Sequence, residues 1–131
     1  MKKFLLLLIA SIGMIIALRM TVEDVSAFSQ IVRDMGYEVG DTPIETVELV
    51  IPEKFSPVYE KYNNMLKENG YDLSLYKGKK CTRYTYLIPS LNARANILVH
   101  NSKIIGGDIS GITLDGIMIP IKKTENGSEK Y

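Results

Sequence analysis

A thiol and an imidazole are the side chains of this sequence best suited to covalent chemistry. Cys81 is the only cysteine and His100 the only histidine among 131 residues, and they fall on neighbouring strands of the predicted sheet. A cysteine beside a histidine can act as a nucleophile with its base, and Arg83, on the same face as Cys81, would lower the thiol pKa. No acidic orienting group and no oxyanion-binding element accompany the pair. We therefore expect Cys81 and His100 to be structural or solvated residues.

Two aspartates lie in the most glycine-rich part of the chain. Asp108 follows Gly106 and Gly107, and Asp115 precedes Gly116. Paired carboxylates can bind a metal ion or act as acid and base, but a calcium loop needs several oxygen ligands at close spacing. Aspartate beside glycine is also the usual composition of a turn. We therefore predict that the two aspartates are structural residues and that the chain has no catalytic residue, metal site or cofactor.

One segment combines basic and aromatic side chains. Outside a cell, such a surface could bind an anionic wall polymer, lipid headgroups or an acidic peptide. A strand with buried tyrosines and solvated lysines would have the same composition, so the pattern leaves both interpretations open. The possible ligand or partner surface comprises Tyr76, Lys77, Lys79, Lys80 and Arg83.

Hydrophobic periodicity predicts the elements that hold these residues. Apolar side chains at three- and four-residue steps indicate helices over residues 21–35 and 56–69, and alternation indicates strands. The predicted strands cover residues 46–51, 82–88, 93–100 and 103–110, with a short edge strand at 117–119. Helices segregated from an antiparallel meander define an α+β fold. We expect both helices to pack on one face of an antiparallel four- to five-stranded sheet.

The first nineteen residues carry a membrane-targeting pattern. Lys2 and Lys3 precede an apolar run from Phe4 to Leu18, which Arg19 closes. As a helix, this run would cover roughly 22 Å of a roughly 30 Å hydrocarbon core, which fits either a short anchor or a signal-peptide core. The excess of positive charge before the run places the N-terminus in the cytoplasm. We expect a single-pass protein of the cytoplasmic membrane with its domain outside, and secretion after signal cleavage is the alternative.

This pattern divides the chain into three regions. Residues 1–20 form the anchor or signal segment, residues 21–120 an extracytoplasmic domain, and residues 121–131 a flexible polar tail. Without the three basic residues of the leader, thirteen lysines and arginines face fifteen acids, so the outer part has a net charge near −2. Such a domain has no electrostatic reason to bind nucleic acid. A single cysteine excludes an internal disulfide framework.

Short motifs distributed from about Val25 to Met118 carry a resemblance to a known family. They include Met35-Gly36-Tyr37-Glu38-Val39, Ile51-Pro52-Glu53, Gly70-Tyr71-Asp72-Leu73, Tyr76-Lys77-Gly78-Lys79, Arg94-Ala95-Asn96-Ile97 and Ile105-Gly106-Gly107-Asp108. With these motifs the chain resembles the domain-of-unknown-function 4830 family of small Gram-positive bacterial envelope proteins. The resemblance implies a short N-terminal membrane segment that carries one exported domain, and it implies no activity.

Two classes of function remain open for this sequence. The first, which we favour, is a non-enzymatic binding or regulatory module on the outer face of the cytoplasmic membrane, which recognises an envelope protein or an anionic polymer. The second is a small envelope hydrolase or redox protein that uses Cys81, His100 or the pair Asp108 and Asp115. An accessory subunit of a larger membrane complex is a third possibility.

Overall fold

The computed structural model describes residues 27–111, 114 and 116–123 of the chain. In this part, two α-helices and five strands follow one another. The helices are α1 (Gln30–Asp34) and α2 (Pro57–Glu68). The strands are β1 (Glu45–Val50), β2 (Lys80–Ile88), β3 (Ala93–His100), β4 (Lys103–Gly111) and β5 (Ile119–Pro120). The predicted α+β fold with an antiparallel sheet is confirmed.

The five strands form one antiparallel sheet in chain order, from β1 at one edge to β5 at the other. Asn92, at φ 45°, ends the turn between β2 and β3, and Asn101, at φ 47°, begins the turn between β3 and β4. Asparagine tolerates this left-handed conformation, so both turns can be tight. The last strand lies later than the predicted residues 117–119, because Ile119 and Pro120 are the residues that pair with β4.

Side chains alternate between the two faces of this sheet. One face, here called the apolar face, carries buried side chains from β2, β3 and β4, namely Tyr84, Tyr86, Ala95, Ile97 and Ile109. The opposite face, here called the polar face, carries a second group from the same three strands, namely Arg83, Thr85, Asn96 and Asp108. The two faces therefore have different chemistry.

The two helices cover opposite faces of the sheet. The ring of Phe28, which immediately precedes α1, lies 5.5 Å from the ring of Tyr84 on the apolar face. From α2, Tyr62 donates a hydrogen bond to Asp108 on the polar face. The expectation that both helices share one face is therefore wrong. Helical periodicity shows which stripe each helix buries, but it does not show which side of the sheet receives that stripe.

Helix α2 begins and ends at residues whose chemistry sets its limits. The Ser56 hydroxyl accepts a hydrogen bond of 3.2 Å from the Tyr59 amide, and Pro57 is the first helical residue. Gly70, at φ +96°, follows the helix and turns the chain. A close approach to β4 fixes the middle of α2, because a Cβ atom at Gly106 would lie only 2.8 Å from Leu66 Cδ1. The predicted second helix is thus confirmed.

The predicted membrane segment from Phe4 to Leu18 lies outside the described residues. The same is true of the first part of the helix expected over residues 21–35, of which α1 contains Gln30–Asp34. Among the described residues, no helix is both long enough and apolar enough to cross a membrane. The anchor and its topology therefore stay predictions.

The chain after β5 continues to pack against the domain. Ile121 is fully buried and donates its amide to the Gly107 carbonyl at 3.1 Å. Lys123 donates its amide to the Asn69 carbonyl at 3.0 Å, just after α2. The first three residues of the predicted tail thus belong to the packed part of the chain, and residues 124–131 lie outside the described residues.

Candidate recognition surface

A row of polar side chains crosses the polar face beneath α2. The Tyr62 hydroxyl donates to Asp108 Oδ1 at 2.9 Å, and the Asn96 amide donates to Asp108 Oδ2 at 3.3 Å. The Thr85 hydroxyl in turn donates to Asn96 Oδ1 at 2.9 Å. The strand register explains this row, because Asn96 is paired with Thr85 on one side and with Asp108 on the other. We call these four residues the polar cluster.

Asp108 is a carboxylate held away from water, with 6 % of its surface exposed. Burial raises the pKa of Asp108, while hydrogen bonds from Tyr62, Asn96 and Ser110 and the charge of Arg83 act in the opposite direction. Burial, followed by the charge of Asp108, raises the pKa of Tyr62. Tyr62 therefore keeps its proton at neutral pH and remains a hydrogen-bond donor to Asp108.

The same tyrosine forms part of an open groove between α2 and the segment before β5. The groove has a volume of about 720 Å³. Its apolar lining comes from Val58, Tyr59, Tyr62 and Met65 of α2 and from Met118, which lies just before β5. The polar residues around it are Lys61, Asn64 and Glu68. We call this surface the α2 groove.

Aromatic contacts and the polar cluster hold the wall of the α2 groove. The ring centroids of Phe55 and Tyr59 are 4.7 Å apart, and those of Tyr59 and Tyr62 are 6.3 Å apart. These separations are typical of favourable aromatic pairs. Because Tyr62 is also bonded to Asp108, the groove wall is connected to β4 through a buried hydrogen bond.

The predicted basic and aromatic surface is divided in the structure. Arg83 lies on the polar face and donates to Glu45 Oε1 at 2.5 Å. The ammonium group of Lys77 lies 4.6 Å from the ring centroid of Phe55. Lys79 and Lys80 are exposed and form no ion pair with the described residues. Tyr76 lies in the 3₁₀ turn Leu73–Tyr76. Whether this surface binds a ligand stays a prediction.

Cys81 is on β2, as predicted, but its surroundings differ from the expectation. It is 4 % exposed, and burial raises the pKa of its thiol. The expectation that this pKa is lowered is wrong, because burial acts on the thiol in the opposite direction. A raised pKa keeps the sulfur in the less nucleophilic thiol form.

His100 ends β3 and lies on the strand next to that of Cys81, as predicted. Its Nδ1 atom is 2.7 Å from the Lys80 carbonyl oxygen. Because a carbonyl oxygen can only accept, Nδ1 is protonated and donates a hydrogen bond to it. The imidazole also meets the Tyr76 ring edge-on, with centroids 5.4 Å apart. Within the described part of the chain, no hydrogen bond joins His100 to Cys81.

Of the two aspartates predicted in the glycine-rich segment, Asp108 is among the described residues. Asp108 lies in the middle of β4, within the strand predicted over residues 103–110, although its glycine neighbours have the composition of a turn. Asp115 lies outside the described residues. Over residues 27–111, 114 and 116–123, no three histidine, cysteine, aspartate or glutamate side chains converge as metal ligands do. That the chain binds no metal stays a prediction.

Comparison with known families agrees with the resemblance noted in the sequence. Residues 31–109 match the family described as Domain of unknown function (DUF4830). The chain belongs to the DUF4830 family. Searches of curated proteins and of solved structures found no match.

The DUF4830 match covers the whole polar cluster and most of the α2 groove. Tyr62, Thr85, Asn96 and Asp108 all lie between residues 31 and 109, whereas Met118 lies beyond the matched region. The polar cluster was not predicted from the sequence. The available signal was a polar side chain facing away from the core on each of three consecutive strands, which becomes a cluster once the register is known.

Proposed function

We propose that this member of the DUF4830 family is a non-enzymatic binding or regulatory module displayed on the outer face of the cytoplasmic membrane. Residues Phe4–Leu18 would anchor it, and the α2 groove would bind an apolar segment of another envelope protein. The α2 groove carries this proposal, because it is open and combines apolar side chains with a few polar ones at its rim. Grooves of this kind bind amphipathic helices or extended segments through a few apolar anchors.

The chemistry of the α2 groove supports a protein partner. Tyrosine and methionine are enriched at the centres of protein interfaces, where they give large contact areas. Tyr59, Tyr62 and Met65 provide such a surface, and Val58 is 81 % exposed beside them. An exposed apolar cluster is typical of a protein interaction site, because a bound partner would shield its side chains from water.

The charges at the rim define the partner further. Lys61 lies in the first half of α2, and Glu68 is its last residue. A segment lying along the groove would therefore carry an acidic side chain near Lys61 and a basic side chain near Glu68. This arrangement selects one direction of the bound segment, because the reverse direction would bring like charges together.

The location on the outer face rests on the leader sequence. Lys2 and Lys3 precede the apolar run and Arg19 follows it, which favours a cytoplasmic N-terminus. An alkaline phosphatase fused after Tyr131 should be active in intact cells, since this enzyme folds only where disulfides form. An inactive fusion that accumulates as full-length protein would place the domain in the cytoplasm.

Site-specific photo-crosslinking in intact cells tests the binding proposal. A photo-reactive residue at Val58 should capture one defined envelope protein, which mass spectrometry would identify. The matched control is the same residue at Leu75, which is also apolar and is 70 % exposed but lies off the groove. The substitution Met65→Glu should abolish capture at Val58, because it places a charge in the apolar lining. Equal capture from Val58 and Leu75, or capture that survives Met65→Glu, would contradict the proposal.

The enzymatic alternative is tested with the same assay. Cys81→Ser, His100→Gln, Asp108→Asn and Asp115→Asn each remove a candidate reactive group. A binding module should retain capture at Val58 in Cys81→Ser, His100→Gln and Asp115→Asn, as long as these variants remain folded. Asp108→Asn also changes the acceptor that holds Tyr62 in the groove wall, so its capture is compared with that of Tyr62→Phe. A cellular phenotype that is lost with Cys81→Ser or His100→Gln while capture is intact would favour the enzyme.

A further inference from the structure

The two lateral edges of the sheet differ in length and in hydrogen-bonding capacity. At one edge, β5 has two residues, one of which is Pro120, whose nitrogen carries no proton. At the other edge, β1 has six residues and no proline. None of the described residues pairs with the outer side of β1. An unpaired edge of this length is available to another strand.

The hydrogen bonds beside β1 show which of its backbone groups face outward. The Ile51 amide donates to the Lys79 carbonyl at 2.9 Å, toward β2. In an antiparallel ladder this direction alternates with each residue, so Val47 and Leu49 also direct their backbone groups toward β2. The residues of β1 with outward amide and carbonyl groups are Thr46, Glu48 and Val50, whereas the Ile44 amide, just before β1, donates to the Thr85 carbonyl of β2 at 2.7 Å.

The side chains along this edge limit which strand can bind there. Ile44 and Val50, at its two ends, are 52 % and 54 % exposed, which is unusual for such apolar residues. Glu48, in the middle, is exposed and forms no ion pair with the described residues. A bound strand would therefore be apolar at both ends and uncharged or basic opposite Glu48.

The β1 sequence itself meets these requirements in one symmetric register. A two-fold axis at Glu48 would place two carboxylates directly opposite each other, which is destabilising. An axis at Val47 instead places each Glu48 opposite Thr46 of the second copy. It also places each Val50 opposite Ile44 of the second copy, so the exposed apolar side chains cover each other.

We propose that β1 binds β1 of a second copy of this chain, antiparallel and with the two-fold axis at Val47. The dimer would have one continuous sheet with β1 at its centre. The α2 groove borders the segment before β5, at the other edge, so the dimer leaves it open. Confinement of both copies to one membrane, if the chain is anchored as proposed above, would raise their effective concentration.

Disulfide trapping tests this register directly. At the axis, two Val47 residues would form a non-hydrogen-bonded pair with Cα atoms about 4.5 Å apart, within the range of about 4.4–6.8 Å found in disulfides. Full-length chains with Val47→Cys, Glu48→Cys or Leu49→Cys would be oxidised with copper phenanthroline in isolated membranes. We expect several-fold more covalent dimer from Val47→Cys than from the other two. All three variants would be made in a Cys81→Ser background, because Cys81, the only cysteine, lies opposite Leu49 on β2 and could form a disulfide within one chain with a cysteine at that position.

A charge pair provides the specificity control. In the Val47→Cys chain, Thr46→Glu would face Glu48 of the second copy and should reduce the dimer, whereas Thr46→Lys should increase it. Both changes are at an exposed position, so the fold should tolerate them. Leu75→Cys, which is exposed and away from β1, measures random collision. Absence of a dimer at Val47→Cys, a stronger dimer at Glu48→Cys or Leu49→Cys, or equal dimer from Thr46→Glu and Thr46→Lys would overturn the proposal.

Discussion

The two faces of the sheet hold their helices by different physical means. On the apolar face, aromatic and aliphatic side chains pack closely, and their contribution depends mainly on the area removed from water. On the polar face, the polar cluster makes hydrogen bonds that depend on direction and distance. On the polar face, α2 is therefore held both by the packing of Leu66 against Gly106 and by directional hydrogen bonds, which restrict its position further. The α2 groove lies on the helix whose position these bonds restrict.

The largest expected effect comes from a cavity in the apolar face. Ile97 is fully buried there, and Ile97→Ala should lower the free energy of unfolding by about 2–5 kcal/mol. The measurement is urea unfolding of the purified full-length chain in a mild detergent. Leu87→Ala, on β2 at a position that is 41 % exposed, should cost less than about 1 kcal/mol. Similar costs for the two variants would contradict the difference between the faces.

A smaller effect is expected when the polar face loses one hydrogen bond. Tyr62→Phe removes the donor to Asp108 and leaves a buried carboxylate less well bonded, which should cost about 1–3 kcal/mol in unfolding free energy. Tyr59→Phe is the matched control, because Tyr59 is one turn earlier and its hydroxyl has no partner among the described residues. The control should change the unfolding free energy by no more than about 0.5 kcal/mol. If Tyr59→Phe lowered the unfolding free energy as much as Tyr62→Phe, the hydrogen bond from Tyr62 to Asp108 would not explain the effect of Tyr62→Phe.

The pH dependence of stability isolates the carboxylate of the polar cluster. The pKa of Asp108 in the folded chain is higher than its ordinary value of 3.8. Between the ordinary pKa and the folded-state pKa, the folded state therefore binds more protons than the unfolded state. Stability from this group is therefore present at low pH and is lost as the pH rises through the folded-state pKa. Asp108→Asn cannot titrate, and its unfolding free energy relative to the native chain should increase over that range. A difference that is constant with pH would contradict the raised pKa.

The smallest expected effect is at the rim of the polar face. Arg83 and Glu45 form an ion pair with side chains that are 35 % and 44 % exposed. Such partly exposed pairs contribute about 0.2–1 kcal/mol, so Arg83→Gln should have little effect on unfolding. Because the charge of Arg83 acts to lower the pKa of Asp108, the same variant should move the pH dependence of stability to higher pH. If the pH dependence of stability were the same in Arg83→Gln as in the native chain, Arg83 would not be coupled to the polar cluster.

The sequence predicted the strands well because alternation reports burial directly. Tyr84, Tyr86 and Ile88 alternate on β2 and are all buried, as expected. The sequence did not predict the placement of the helices, because an apolar stripe is satisfied by either face of the sheet. It also grouped Lys80 with Arg83, whereas residues three apart on a strand point to opposite faces.

The polar cluster shows why the candidate site was harder to predict than the fold. Asn96 and Asp108 are twelve residues apart in sequence, and Tyr62 and Asp108 are forty-six apart. Their contact depends on strand register and on which face α2 covers, and neither follows from local patterns. The strand predicted over residues 103–110 includes Asp108, but the residues that flank and contact its side chain become known only from its pairing with Asn96.

The coupling between Tyr62 and Asp108 is the most direct test that the polar face positions α2. A double-mutant cycle with Tyr62→Phe and Asp108→Ala, which removes the acceptor, measures it from the unfolding free energies of four full-length chains at neutral pH. Residues that share a buried hydrogen bond should be coupled by about 0.5–3 kcal/mol. Additive effects, with a coupling energy below about 0.3 kcal/mol, would show that the two side chains act independently and would contradict this account.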